Sequence, residues 1–220
     1  MIFRKERGKT MKIRRILLLL FVSFALTSTA SAAITYTFSG ITNNDPGDTA
    51  IGEAQLTMEL SDPGGGQALF TFYNDGPEQS TISEIYFDDG TLLSLAGIVE
   101  SSGVDFSVGG SPPVLPGGNA LDPDFETSFM VSADNPAPTN GVDPGESVGL
   151  LFNLQGGQTF ANVIGAISNG DLRIGLHVIN FESGGSESFV LVPAPGALIL
   201  GSLGTLAVAA SRTIRNKKRY

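Results

Sequence analysis

Ser147 lies in Gly145-Glu146-Ser147-Val148-Gly149, a G-x-S-x-G string, and Asp171 and His177 follow in the nucleophile, acid, base order of an α/β-hydrolase. A serine hydrolase would need that serine on a sharp strand-to-helix elbow. Here Pro144-Gly145 reads as a turn and Val148–Leu154 alternates like a strand, and in a chain with 28 Gly such a match arises easily by chance. The sequence therefore predicts no catalysis at Ser147. His177 is the only histidine and cysteine is absent, so His-cluster metal sites, thiolate sites, disulfides and Cys nucleophiles are excluded. Alternation puts His177 with Arg173, Gly175 and Ile179 on the face opposite Leu172, Ile174, Leu176 and Val178. It is expected to make a polar surface contact, such as pairing with a carboxylate, and Arg173 to form an ion pair within the domain. The remaining chemistry is oxygen-rich loops: Asn43, Asn44, Asp45 and Asp48; Asp88 and Asp89; Asp122, Asp124 and Glu126; Asn140, Asp143 and Glu146. Hard cations take several oxygens from adjoining loops, so calcium is the candidate cofactor and Asp122, Asp124 and Glu126 its candidate ligands. No EF-hand spacing is present, and Asp and Asn are equally the ordinary formers of turns.

Charge is distributed unevenly. Of the 13 Lys and Arg, seven precede residue 16 and five follow residue 211, leaving Arg173 alone between them. Of the 22 acids, all but Glu6 lie between Asp45 and Glu187, so the middle of the chain carries a formal −20. A phosphate backbone would be repelled by such a surface, which excludes nucleic acid as a partner.

Both basic ends read as processing signals. From Met11, the expected true start, a basic stretch (Lys12, Arg14, Arg15) precedes an apolar run from Ile16 to Leu26 and then Ala30-Ser31-Ala32. That run would be roughly 16 Å long as a helix, too short to span a bilayer core of about 30 Å. Small residues at Ala30 and Ala32, before Ala33, suit a signal peptidase, so residues 1–32 are expected to be a cleaved secretory signal peptide. At the other end Val192-Pro193-Ala194-Pro195 precedes an apolar run to Ala210 and a tail with five basic residues. From Gly196 this makes a marginal membrane helix of roughly 22 Å, held by the positive tail with the acidic domain outside.

The tripartite end, residues 192–220, resembles the PEP-CTERM sorting segment of bacterial surface proteins through Val192, Pro193, Pro195, Gly196, Gly201, Gly204 and the basic tail. Ala194 stands where that family usually has Glu. The resemblance implies recognition by an exosortase-like membrane protease and transfer of the domain to the envelope surface or extracellular matrix, where exopolysaccharide would be a partner. Phe70–Gly90 and Gly170–Pro195 are also similar to domains found with such tails. Independently of any family, two prolines fix an extended backbone that stops the helix and presents an open strand to a protease cleft.

Residues 33–191 are long enough for one core. Period-two runs at Ile34–Phe38, Ala54–Leu60, Ala68–Phe72, Ile82–Phe87, Thr91–Val99, Val104–Val108, Thr127–Val131, Val148–Leu154, Leu172–Val178 and Ser188–Leu191 predict about ten strands, with Val104, Phe106 and Val108 inward and the last run closing the sheet. Phe160, Val163, Ile164 and Ile167 recur at helical spacing before Asn169-Gly170, predicting one short helix. Gly109–Glu126 is read as a long loop. The expected fold is a mainly β, antiparallel, jelly-roll-like β-sandwich with one short helix and a C-terminal membrane helix. The expected role is structural or adhesive. A polysaccharide-binding module, calcium-dependent or not, is the alternative, although the domain offers no Trp and only Tyr36, Tyr73 and Tyr86 as aromatic platforms.

Overall fold

The computed structural model describes residues 33–89 and 92–193. Ten strands form one antiparallel sheet nearly closed into a barrel: β1 (Ile34–Gly40), β2 (Leu56–Ser61), β3 (Gln67–Asn74), β4 (Thr81–Asp88), β5 (Leu93–Glu100), β6 (Phe106–Val108), β7 (Phe129–Ala133), β8 (Glu146–Leu154), β9 (Arg173–Ile179) and β10 (Glu187–Val192). Their spatial order is β5-β8-β3-β2-β1-β10-β9-β4-β7-β6. The expected antiparallel, mainly β class and strand number are observed. In place of the two separate sheets of a jelly-roll, the ladder runs unbroken through β1 and β10, which pair from Thr37↔Val192 to Gly40↔Phe189. The Ser188–Leu191 segment therefore lies mid-sheet instead of closing it.

Alternation explains the core. Ala68, Phe70 and Phe72 of β3, Val148, Leu150 and Phe152 of β8, and Ile174, Leu176 and Val178 of β9 are all essentially fully buried. Phe87 is the hub of the aromatic packing, with Phe70 edge-on at 5.6 Å, Phe152 at 5.1 Å and Phe129 at 5.9 Å between ring centroids. Each such ring removes about 1.5–3 kcal/mol worth of apolar surface from water. Val108, expected inward, is instead 63% exposed. It ends a three-residue edge strand, where the sheet no longer has two faces to cover.

Among the described residues three α-helices decorate the barrel: α1 (Pro46–Gln55), the single-turn α2 (Ala137–Asn140) and α3 (Phe160–Asn169). The helix expected near Phe160 is α3. Its Val163, Ile164 and Ile167 are buried, and Gly170 stops it in the left-handed conformation at φ 80°. Helix α1 occupies a segment whose Ala54 the alternation assigned to a strand. Its signals are local: Asp45 caps it by accepting from the Gly47 N–H at 2.7 Å, and Pro46 sits in the first turn. Gly52 lets it lie close on β10, since a Cβ there would sit 2.1 Å from the Phe189 ring.

The stretch Gly109–Glu126 is a loop, as expected, but it is a packed strap across the outer face of β10, β9, β4 and β7. Leu115 and Phe125 are buried with Tyr86 and Met130 in a second, smaller apolar cluster. Leu115 fills the notch at Gly175, where a Cβ would lie 2.5 Å from its Cδ2. The Tyr86 hydroxyl donates to the Pro112 carbonyl at 3.0 Å. Strand β4 is buried on both faces from Thr81 to Phe87, with the strap over Tyr86 and the α2 turn against Thr81.

Candidate functional site: strap clamp, outer-face row and barrel seam

Ser147, Asp171 and His177 do not meet. Ser147 is the second residue of β8, pairing with Tyr73 across the ladder, and the chain runs on from it as strand with no helix to form an elbow. His177 is on β9, separated from β8 by β3, β2, β1 and β10. Both residues alternate with core side chains, so both point outward on different sides of the barrel. Asp171 is exposed in the turn after α3.

His177 makes the carboxylate contact expected of it: its Nδ1 lies 2.7 Å from Glu84 Oε2 in a largely buried pair. The two residues are cross-strand neighbours, and a bulge between Ile82 and Glu84 turns Ser83 to donate to the same carboxylate oxygen at 2.6 Å. On the other side Ser188 is the neighbour of His177, and its hydroxyl is buried without a hydrogen-bond partner. The result is a hydroxyl, imidazole, carboxylate row across β10, β9 and β4, with its serine only 1% exposed and so out of a substrate's reach. Tyr86, further along β4, has its phenol pKa raised by burial and then by the Glu84 charge.

Arg173 is the strap's clamp. Its Nε donates to Asp88 Oδ2 at 2.9 Å and its Nη2 forms an ion pair with the same oxygen. Nη1 donates to the Pro123 carbonyl at 2.7 Å, Nη2 also to that of Asp124 at 2.5 Å, and the guanidinium sits 5.3 Å from the Phe125 ring centre. Asp88 Oδ2 in turn accepts the Glu126 N–H at 3.1 Å. Asp122, Asp124 and Glu126, the candidate calcium ligands, are solvent-exposed, and a guanidinium takes the Asp124 backbone oxygen beside them. Among the described residues, no three His, Asp or Glu side chains gather in an arrangement that would hold a metal ion.

Two buried polar features carry no periodic signal and escaped sequence reasoning. At the α1 N-terminus Glu187 is buried, its carboxylate accepting from Thr42 Oγ1 at 2.5 Å and the Asp45 N–H at 2.7 Å; Asp48, also buried, accepts from Ser183 Oγ at 2.5 Å. Negative charge at a helix N-terminus is favourable, which accounts for acids there without a cation. At one end of the barrel Gln55, Asn74 and Ser80 form a closed network: Gln55 Nε2 donates to Asn74 Oδ1 at 2.9 Å and to the Glu78 carbonyl at 2.8 Å, while Asn74 Nδ2 donates to the Ser80 carbonyl at 2.9 Å. Such buried amides hold the β3 to β4 connection in one arrangement.

The barrel has a seam between β5 and the β7–β6 edge, bridged by carboxylates in place of a backbone ladder. Asp89 accepts from the Leu93 N–H at 2.9 Å and from Ser128 Oγ at 2.7 Å, and Glu100 accepts from the Phe106 N–H at 2.7 Å. Between these bridges a cavity of about 260 Å³ reaches Phe87, Phe129 and Phe152. Asp89, Leu93 and Ser94 also line an adjoining cleft of about 720 Å³, edged by Gln155 and Gln158.

Of the processing residues, Ala33 is exposed just before β1, Val192 ends β10 and Pro193 follows it in the open. Ala30, Ala32, Ala194, Pro195 and the predicted membrane segment lie outside the described residues, among which no helix is long and apolar enough to cross a membrane. No family model, curated protein or solved structure matches this chain.

Proposed function

We propose that the chain is an exported cell-surface or matrix protein, carried through the inner membrane by residues 1–32, held there by residues 192–220 until an exosortase-like protease acts, and working through its acidic surface in a structural or adhesive role. One observation supports this reading above others. Among the described residues the first strand starts at Ile34 and the last ends at Val192, within two residues of both expected processing points, so cutting there would leave all ten described strands in place. Among the described residues Leu191 is the last buried one, and Val192 and Pro193 after it are exposed. The experiment is intact mass spectrometry of the chain from the envelope and matrix fractions of an exosortase-bearing host. A mature form beginning at Ala33 and lacking the basic tail is expected, and replacing Pro193 and Pro195 should cause a membrane-bound precursor to accumulate. A mature chain that keeps Ile16–Leu26, or identical fractionation of the proline variant, would refute it.

A further inference from the structure

The open edge of β5 is an unusual feature in a sheet so nearly closed. Strand β5 pairs with β8 alone, and among the described residues its other side, from Ser94 to Val99, faces no backbone partner. An unpaired row of N–H and C=O groups is a template for another strand. Natural edges are commonly blunted by lysine, proline or a bulge; Leu93–Val99 contains neither lysine nor proline, and its one irregularity is the register shift between Leu95 and Gly97. The flanking bridges are carboxylates: Glu100 at one end accepts a single backbone N–H, from Phe106, and Asp89 at the other accepts the Leu93 N–H and the Ser128 hydroxyl. Behind the Asp89 end lies the cavity floored by Phe129, large enough for one side chain of an incoming strand.

We propose that the seam is a peptide-docking site that takes an extended strand onto the open edge of β5, with one apolar side chain in the Phe129 cavity and a cationic residue against Asp89. Charge identifies the partner. The domain carries a formal −20 and its one Lys or Arg, Arg173, is committed to Asp88, so the same domain of a second copy would bring more carboxylates to the two already at the seam. A basic, alternating segment of another protein brings the complementary sign. Backbone pairing supplies affinity and the cavity supplies selection, as in other strand-addition complexes. The site is a property of the domain and stands whether or not the chain is exported.

The test is amide hydrogen exchange of the full chain in detergent solution, with the peptide Lys-Val-Thr-Val-Thr-Val-Lys as probe. Exchange at Ser94–Val99 should slow by about tenfold or more at millimolar peptide, with little change in β2 or β10. A Glu-flanked peptide should bind about fivefold more weakly or worse, the scale of one exposed charge pair, and alternate N-methylation of the Lys-flanked peptide should abolish protection. Asp89→Asn with Glu100→Gln should remove the preference for lysine; the peptide comparisons on the unaltered chain keep the test decisive if that variant folds poorly. Protection by the N-methylated peptide equal to that by the parent would overturn the proposal. So would protection that rises with protein concentration without peptide, which would assign the edge to a second copy, or protection by a neutral oligosaccharide but not by the peptide.

Discussion

Replacing Arg173 by methionine removes the charge and the fork while keeping most of the stem, and it should free the strap from the barrel. Three losses coincide: the ion pair with Asp88, the bonds to the Pro123 and Asp124 carbonyls, and the contact with the Phe125 ring. Charge-assisted hydrogen bonds contribute about 1.5–3 kcal/mol each, but these share one guanidinium and do not add. Both partners are about one-fifth exposed, Arg173 at 22% and Asp88 at 20%, so solvent screens part of the pair. The uncompensated Asp88 carboxylate, in a domain with no other cation, is the largest loss. Together these suggest a destabilisation of about 3 kcal/mol, which in a domain of this size lowers Tm by roughly 6–12 °C. Urea unfolding gives the global figure, and limited proteolysis between Gly109 and Glu126 reports the strap locally. Arg173→Lys should recover only part of the loss, because an ammonium cannot reach two carbonyls and a carboxylate in one plane. A double-mutant cycle with Asp88→Asn should give a coupling of about 1–2 kcal/mol. A loss under about 1 kcal/mol with unchanged strap cleavage would refute the clamp, because neither the pairing nor the docking could then depend on Arg173.

Tyr36→Phe should raise stability by about 1 kcal/mol in urea unfolding, since its buried hydroxyl has no partner and its removal ends an uncompensated desolvation. Burial pushes the Tyr36 pKa up to about 12, above its ordinary value of 10.0, so its contribution is complete below pH 10 and disappears as pH rises toward 12. Alkaline unfolding of the wild type should therefore be steeper over that window than that of Tyr36→Phe, by about 2–3 kcal/mol in total. Gly175→Ala should destabilise by about 1–3 kcal/mol and increase strap cleavage, because its Cβ takes the space of Leu115. Calcium held at Asp122, Asp124 and Glu126 should raise Tm beyond sodium chloride at equal ionic strength, and Asp122→Asn with Asp124→Asn should remove the excess; equal shifts by the two salts would exclude the site.

The stripe Leu172, Ile174, Leu176 and Val178 predicted β9 because its inner face meets only core, and α3 was readable because its apolar residues recur on one helical face. Helix α1 was not, because its interior is polar or small, PGDTAIGEAQ, and what marks it is a cap and a close glycine contact. Closure into one sheet was equally hidden, since alternation fixes which side chains face inward but not which strands neighbour each other. The Arg173 ion pair followed from its being the lone cation among carboxylates. Its second task, gripping two carbonyls of the strap, required the fold to bring residues fifty positions apart together. The seam had no periodic signature, since Asp89 and Glu100 read equally well as turn and strand-end residues.

The pairing of β1 with β10 has a mechanical consequence. Val192 and Thr37 are opposite one another, so a molecule tethered through its C-terminus passes load straight into the middle of the sheet. Strand β10 is laced to β1 on one side and β9 on the other, and tension along its axis loads both ladders in shear, stretching many hydrogen bonds at once. Had the tether left from β5 or β6, the same pull would open one ladder bond by bond. A protein fixed at one end while its surface is dragged by its surroundings resists best when the rope is tied to the centre of the weave.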